Sequence, residues 1–241
     1  MDRTGMTDKS EAIIKAEGIC RQFTRKRGDS NVFFPVKETD FVLRRGETAV
    51  LSGASGSGKT TFLNMLAGIL KPTKGEILLA GRDICKMPDE ELSLFRNGNI
   101  GIIPQGRTAI DSLTALENVL LPWTMYGRGG EILRQKKELA IELFEKLKII
   151  ELQNIMPSEL SGGELRRVAV ARALIMNPEV ILADEPTSDL DDENGELVLK
   201  LLKDLSRKGN KGLLIVTHDR ETNEFADTAY RMTDGILKRE G

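Results

Sequence analysis

Gly53-Ala54-Ser55-Gly56-Ser57-Gly58-Lys59-Thr60 stands between a short apolar run, Thr48–Ser52, and a segment of helical character that starts at Lys59. The stretch fits G-x-x-x-x-G-K-[ST], and a strand before it with a helix after it is the context that pattern requires. Its glycines let backbone N–H groups turn inward around a phosphate, and the helix that follows aims the positive end of its dipole at the same point. Lys59 then reaches β- and γ-phosphates, while the Thr60 hydroxyl faces Mg²⁺. A strand that runs through such a loop into a helix belongs to an α/β architecture, and the rest of the chain is read outward from it.

Downstream, Val180-Ile181-Leu182-Ala183 is an apolar strand that ends in Asp184-Glu185. Carboxylates at the carboxyl end of a parallel strand lie beside the crevice where such sheets bind ligands. Asp184 is placed to hold the Mg²⁺ shell, and Glu185, one residue on, to orient or deprotonate an attacking water. Between these two features lies Leu160-Ser161-Gly162-Gly163-Glu164, followed by the helical run Leu165–Leu174. A serine and two glycines at a helix start form a second anion-binding N-terminus. One nucleotide does not need two such cradles from one chain, so the economical reading gives the second cradle to the nucleotide of another copy.

The flanking segments supply the architecture. Residues 11–20 and 32–43 have strand-like spacing, and the polar tract Arg25–Asn31 between them reads as a hairpin loop. The pattern predicts a helix over Lys59–Leu70 ended by Lys71-Pro72, a strand at Glu76–Ala80, a short helix at Pro88–Arg96 and a buried strand at Asn99–Ile103. From Thr114 to Ile150 the period becomes helical, with Leu139, Leu143, Phe144, Leu147 and Ile150 on one face. Alternation then resumes with a helix at Glu164–Met176, the strand Val180–Asp184, a helix near Gly195–Ser206 and the strand Gly212–Thr217. Thr228–Arg239 reads as two short strands around the turn signal Asp234-Gly235. The sum is a P-loop NTPase core with a mainly parallel sheet, an N-terminal antiparallel β subdomain and a helical subdomain inserted at about 106–160, all in one domain spanning 1–241.

Composition narrows the chemistry. The 241 residues carry 35 Lys and Arg against 37 Asp and Glu, a net charge of −2, so no global field recruits nucleic acid. The two cysteines, Cys20 and Cys85, read as reduced thiols rather than a disulfide framework. A single histidine, His218, excludes a His-rich zinc site. Met1–Glu11 has no apolar core of a secretory signal, and no apolar run approaches the roughly 20 residues that span a bilayer.

Taken together, the phosphate loop Gly53–Thr60, the segment Leu160–Glu164 and the acidic pair Asp184-Glu185 resemble, in order and spacing, the ATP-binding subunit of an ABC transporter over nearly the full chain. That resemblance implies roles for further positions. Gln105 matches the glutamine that bridges Mg²⁺ and the helical subdomain, so the metal set becomes Thr60, Gln105 and Asp184. Ser188-Asp189-Leu190-Asp191 matches the loop that crosses between monomers. His218 matches the switch histidine at the γ-phosphate, which makes the catalytic set Glu185, His218 and Gln105. Phe23 resembles the aromatic residue that stacks on adenine. Nucleotide binding then falls to Phe23, to Gly53, Ala54, Ser55, Gly56, Ser57, Gly58, Lys59, Thr60 and Thr61, and to Ser161, Gly162, Gly163 and Glu164.

Leu113–Val119 and Ile181–Thr187 look most like the macrolide-exporter and lipoprotein-releasing branch. Three positions depart from its pattern: Pro104 stands where an aromatic residue is usual, Asp189 where a small or amide residue is, and Leu165 where a polar residue is. The resemblance implies ATP and Mg²⁺ as cofactors and a homodimer formed on ATP binding. It also implies a separate membrane permease docked near Gln105–Tyr126, with Trp123 and Tyr126 either in contact with it or in the subdomain core. The place is then the cytoplasmic face of the cell membrane, and the work is export or extraction of a lipophilic or peptide substrate. A cell-division-type ABC ATPase, which signals across the membrane without transport, has nearly the same motifs. A translation-factor ATPase would carry two cassettes, and a chromosome ATPase would insert a long heptad coiled coil between Thr60 and Leu160, which this chain lacks.

Overall fold

Strands β1 (Ala12–Thr24) and β2 (Val32–Arg44) pair antiparallel. With β4 (Lys74–Leu79) and β5 (Arg82–Asp83) they form a four-stranded sheet in the order β2-β1-β4-β5. The computed structural model describes residues 11–24, 32–126, 130–219 and 221–240, so the expected loop at 25–31 and the stretch before Glu11 lie outside the described residues. The second sheet is built on β3 (Thr48–Ser52), every residue of which is buried. Its order is β10-β9-β3-β8-β7-β6, from β6 (Ile100–Ile103), β7 (Val180–Asp184), β8 (Gly212–Thr217), β9 (Thr228–Thr233) and β10 (Ile236–Glu240). All its pairings are parallel except the terminal β9–β10 hairpin, which turns on Asp234 and Gly235, both at positive φ.

The parallel sheet buries both faces, and side-chain alternation divides the core in two. Ala49, Leu51, Leu182, Leu214 and Val216 face helix α1 (Lys59–Leu66) and the antiparallel sheet, around Phe62, Met65 and Phe41. Their neighbours Val50, Ile181, Ala183, Leu213 and Ile215 face the helical side. That side comprises α3 (Ala115–Tyr126), α4 (Gly130–Lys146), α5 (Gly162–Leu174) and α6 (Asp192–Gly209). The remaining helix, α2 (Asp89–Asn99), leads into β6 and buries Phe95. Leu143 and Phe144 of α4, and Leu147 just past its end, lie on the expected apolar stripe and join the sheet-face core. Trp123 is buried, which places it in the core rather than on a contact surface, whereas the side chain of Tyr126 lies outside the described residues.

Two local outcomes differ from the sequence reading. Helix α1 ends at Leu66 rather than Leu70, because Gly68 adopts φ 65° and the amides of Gly68, Ile69 and Leu70 turn back to Met65 and Asn64. A glycine two positions past a helix end satisfies its last carbonyls in this way, and it stops the helix before Pro72 can. The short strand β5 carried no expectation. It forms because Ala80 and Gly81, at φ 48° and 76°, reverse the chain so that Arg82 and Asp83 pair with Leu79 and Leu78.

Candidate functional site

The phosphate loop emerges from β3 and enters α1 through Gly58, which has φ 109° and serves as the helix N-cap residue. It is wedged between two neighbouring strands. A Cβ on Gly58 would stand 1.9 Å from the Pro35 carbonyl oxygen of β2, and one on Gly53 would stand 2.4 Å from the Met232 carbonyl oxygen of β9. Backbone at both places is too close for any side chain, so glycine here sets the path of the loop. Lys59 is buried and folds back over the loop, donating from Nζ to the carbonyls of Gly53 at 2.7 Å and Ala54 at 3.0 Å. The ammonium is thus held in the ring of the loop, where an anion would sit.

Thr60, in the first turn of α1, donates from Oγ1 to Asp184 Oδ2 at 2.8 Å. Asp184 ends β7 and is buried, and burial pushes its carboxyl above the usual range; the neighbouring Glu185 charge adds to the rise and the Thr60 hydroxyl partly offsets it. Two oxygen donors at this spacing suit Mg²⁺, which takes one or two protein oxygens and fills its remaining positions with water and substrate phosphates. A dication would also relieve the desolvation of Asp184, so the residues present fit the metal.

Glu185 follows at φ 53°, a left-handed conformation that costs a non-glycine residue about 1 kcal/mol or more. Its amide donates to Val216 O at 2.8 Å, and Thr217 Oγ1 donates to its Oε2 at 3.3 Å. His218 Nδ1 lies 2.8 Å from its Oε1. A cleft of about 450 Å³ is bordered by Ser55, Gly56, Gly58, Lys59, Thr60 and Thr61 on one side, and by Gln105, Asp184, Glu185 and His218 on the other. Residues from β3, β6, β7 and β8 ends therefore converge at the carboxyl edge of the parallel sheet, as the strand positions predict.

Two groups stay apart from this cleft. Ser161, at the N-cap of α5, forms a capping box: Glu164 N donates to Ser161 Oγ at 3.3 Å, and Ser161 N donates to Glu164 Oε2 at 2.7 Å. Hydrogen bonds from Ser161 hold the Glu164 carboxyl below its usual range, the hydroxyl bond first and the amide bond second. Gly162 and Gly163 pack on Asp189 and Leu190, so the second cradle borders the 188–191 turn, and none of residues 160–164 lines the Lys59 cleft. Phe23 does not line it either. Its ring lies 5.7 Å from Phe33 with the Arg21 guanidinium 4.7 Å from its centroid.

Two residues of the site escaped the sequence reading. Thr217 is buried and touches Glu185, and as the last residue of a fully apolar strand it carries a polarity signal that could have marked it. Arg166 is buried one turn into α5 and reaches both Pro104 and Ser188. Its spacing of four from Val170 and seven from Ala173, both buried, sets it on the inward face of the helix, and a charge there is the available signal.

A family model described as "ABC transporter" matches residues 36–188. The chain is 37% identical over 229 residues to "Lipoprotein-releasing system ATP-binding protein LolD" of Treponema denticola, covering 95% of this chain and 99% of that one. It is 42% identical over 205 residues to "ABC transporter H family member 2" of Dictyostelium discoideum, where it spans 85% of its own length but only 40% of the relative's. Among solved structures, the dimeric post-hydrolysis ATP-binding cassette MJ0796 of Methanocaldococcus jannaschii, bound to ADP and Pi, superposes with a TM-score of 0.87 at 34% identity, covering 95% of this chain and 99% of that one.

Proposed function

The chain belongs to the ABC transporter family, and on that premise we propose that two copies enclose two ATP, each held by Gly53–Thr61 of one copy and Ser161–Glu164 of the other. It is an ATPase subunit that powers a separate membrane permease. The observation that carries the two-copy arrangement is the separation of cradles: Lys59, Gln105, Glu185 and His218 share one cleft that residues 160–164 do not line. A second cradle left outside is available to a second chain.

Hydrolysis in this reading is mostly positioning and charge stabilisation. Lys59, whose Nζ lies on the carbonyls of Gly53 and Ala54, binds the β- and γ-phosphate oxygens. Thr60, Asp184 and Gln105 would hold Mg²⁺, which neutralises charge on the β- and γ-phosphate oxygens when bound. Glu185 accepts the proton of the attacking water, while Thr217 and His218 hold its two carboxylate oxygens in place. His218 and Gln105, which both border the cleft, register whether the γ-phosphate is present. Closing and reopening of the pair drives the permease through the segment Gln105–Tyr126 on the cytoplasmic side of the membrane. The moved substrate is a lipophilic or peptide molecule, in keeping with the lipoprotein-releasing system named for the Treponema relative.

The test is Glu185→Gln. The variant should still bind ATP and collect as a dimer on a sizing column while phosphate release stops. A Glu185→Gln protein that hydrolyses ATP at the unmutated rate would overturn the assignment.

A further inference from the structure

One turn into α5 sits a buried cation that the hydrolytic chemistry does not use. Arg166 is 4% exposed. Its Nη1 donates to the Pro104 carbonyl at 2.7 Å, on the residue that precedes Gln105. Its Nη2 donates to Ser188 Oγ and lies 3.9 Å from Asp189 Oδ2. Ser188 is itself tied back, its Oγ donating to the Glu185 carbonyl at 3.0 Å. Burial works against the charged guanidinium, and the carboxylates of Asp189, Asp184 and Glu185 are the groups that oppose that effect. Arginine suits this place because its planar fork serves several acceptors at once, which a lysine ammonium at the end of a flexible stem does not.

The surroundings show what the fork replaces. A hollow of about 220 Å³ lies among Gly106, Arg107, Gly162, Arg166 and Asp189. The stretch before Gln105, the start of α5 and the 188–191 turn are therefore bridged across a gap by one side chain. Asp189, one of the departures from the family pattern, supplies the nearest carboxylate and holds φ 66° against the Gly163 backbone, where a Cβ would meet its carbonyl at 3.1 Å. The pairing is one-sided: the Arg166 side chain is 3% exposed and needs opposing charge, whereas that of Asp189, at 65%, is solvated.

We propose that Arg166 is a positioning residue that makes Gln105, the Ser161–Glu164 cradle and the Ser188–Asp191 turn move as one body, with Asp189 as its counter-charge. The inference rests on the ATPase reading for what those segments do, but not for the mechanical link between them. Arg166→Lys keeps charge without the fork, Arg166→Met keeps much of the stem without charge, and Asp189→Asn removes the counter-charge alone.

In hydrogen exchange without nucleotide, Arg166→Met should speed exchange in peptides covering 101–110 and 185–191 together. Binding of a fluorescent ATP analogue should stay within about twofold, while kcat falls about tenfold in both Arg166 variants and about threefold in Asp189→Asn. Adding Asp189→Asn to Arg166→Met should cost nothing further. Arg166→Met with the unmutated exchange pattern and kcat overturns the proposal, as do losses in the double variant that multiply. If Arg166→Met does not fold, Arg166→Lys alone and combined with Asp189→Asn replaces it in both measurements, with the same outcomes for and against. If the unmutated protein hydrolyses no ATP, the ATPase reading fails while the exchange measurement still decides the link.

Discussion

His218 Nδ1 lies 2.8 Å from Glu185 Oε1, and the two side chains differ sharply in freedom: that of Glu185 is 9% exposed and that of His218 is 73%. The carboxylate is fixed by its strand end and by Thr217, so the imidazole is the member of the pair that can turn towards or away from a bound phosphate. Replacement of His218 by Ala should therefore spare ATP binding and lower kcat by about 10²-fold, the lower range for a positioned polar partner in proton transfer. Steady-state phosphate release beside equilibrium nucleotide binding reads the two effects separately. Equal loss of both would mean that His218 serves binding instead.

Thr60 and Asp184 make a second prediction. Asp184→Asn preserves the shape and the bond from Thr60 Oγ1 but removes the buried charge that Mg²⁺ would meet. Mg²⁺-dependent nucleotide binding should weaken at least tenfold, while metal-free binding of the same nucleotide changes little. Titration with and without a chelator checks it. The variant should also melt no lower than the parent, because burial disfavours the ionised Asp184 in the folded state.

Gly58→Ala places a methyl group where the Pro35 carbonyl already is, at a residue whose φ is 109°. Strain and clash together should cost about 2–4 kcal/mol. Chemical denaturation should show the loss, and nucleotide binding should fail even at temperatures where the variant stays folded. Gly56→Ala is the control: its φ is 76°, but no heavy atom lies within 4 Å of the added carbon, so its cost should be smaller.

Glu164 carries the pH prediction. Its carboxyl is held below the ordinary value by Ser161, so the folded state prefers the charged form. Stability from this group is complete above the ordinary glutamate pKa and is lost as pH falls through the lowered one. Glu164→Gln should therefore melt below the parent at neutral pH, by about 0.3–1 kcal/mol at low ionic strength. The gap should close as pH falls below the lowered value and not reopen. A gap independent of pH would show that the capping box works through shape alone.

Much of this molecule was legible in its residues because the decisive positions are backbone-limited. Gly53, Gly56 and Gly58 all take positive φ, and the Asp234-Gly235 turn closes the last hairpin. The convergence of Lys59, Asp184, Glu185 and His218 also followed from strand order, since a parallel sheet brings its carboxyl ends to one edge. What could not be read was set by contacts distant in sequence. Arg166 is 62 residues from its Pro104 partner, and the helix spacing that sets it on the inward face of α5 does not say which distant groups it meets. The early end of α1 was readable in principle from Gly68, but Pro72 is the louder signal and stands four residues too late. Phe23 was placed by resemblance alone, and its packing against Phe33 of β2 is a cross-strand arrangement that a single strand does not encode.

The left-handed backbone of Glu185 sets two demands on one position in opposition. Glycine or asparagine would sit there with less strain, so a chain tuned only for a high melting temperature would drift away from the carboxylate. On the proposed role of Glu185 as base, engineering for robustness at this turn erodes turnover first, and screens that reward thermal tolerance without an activity gate should enrich inactive variants at residue 185.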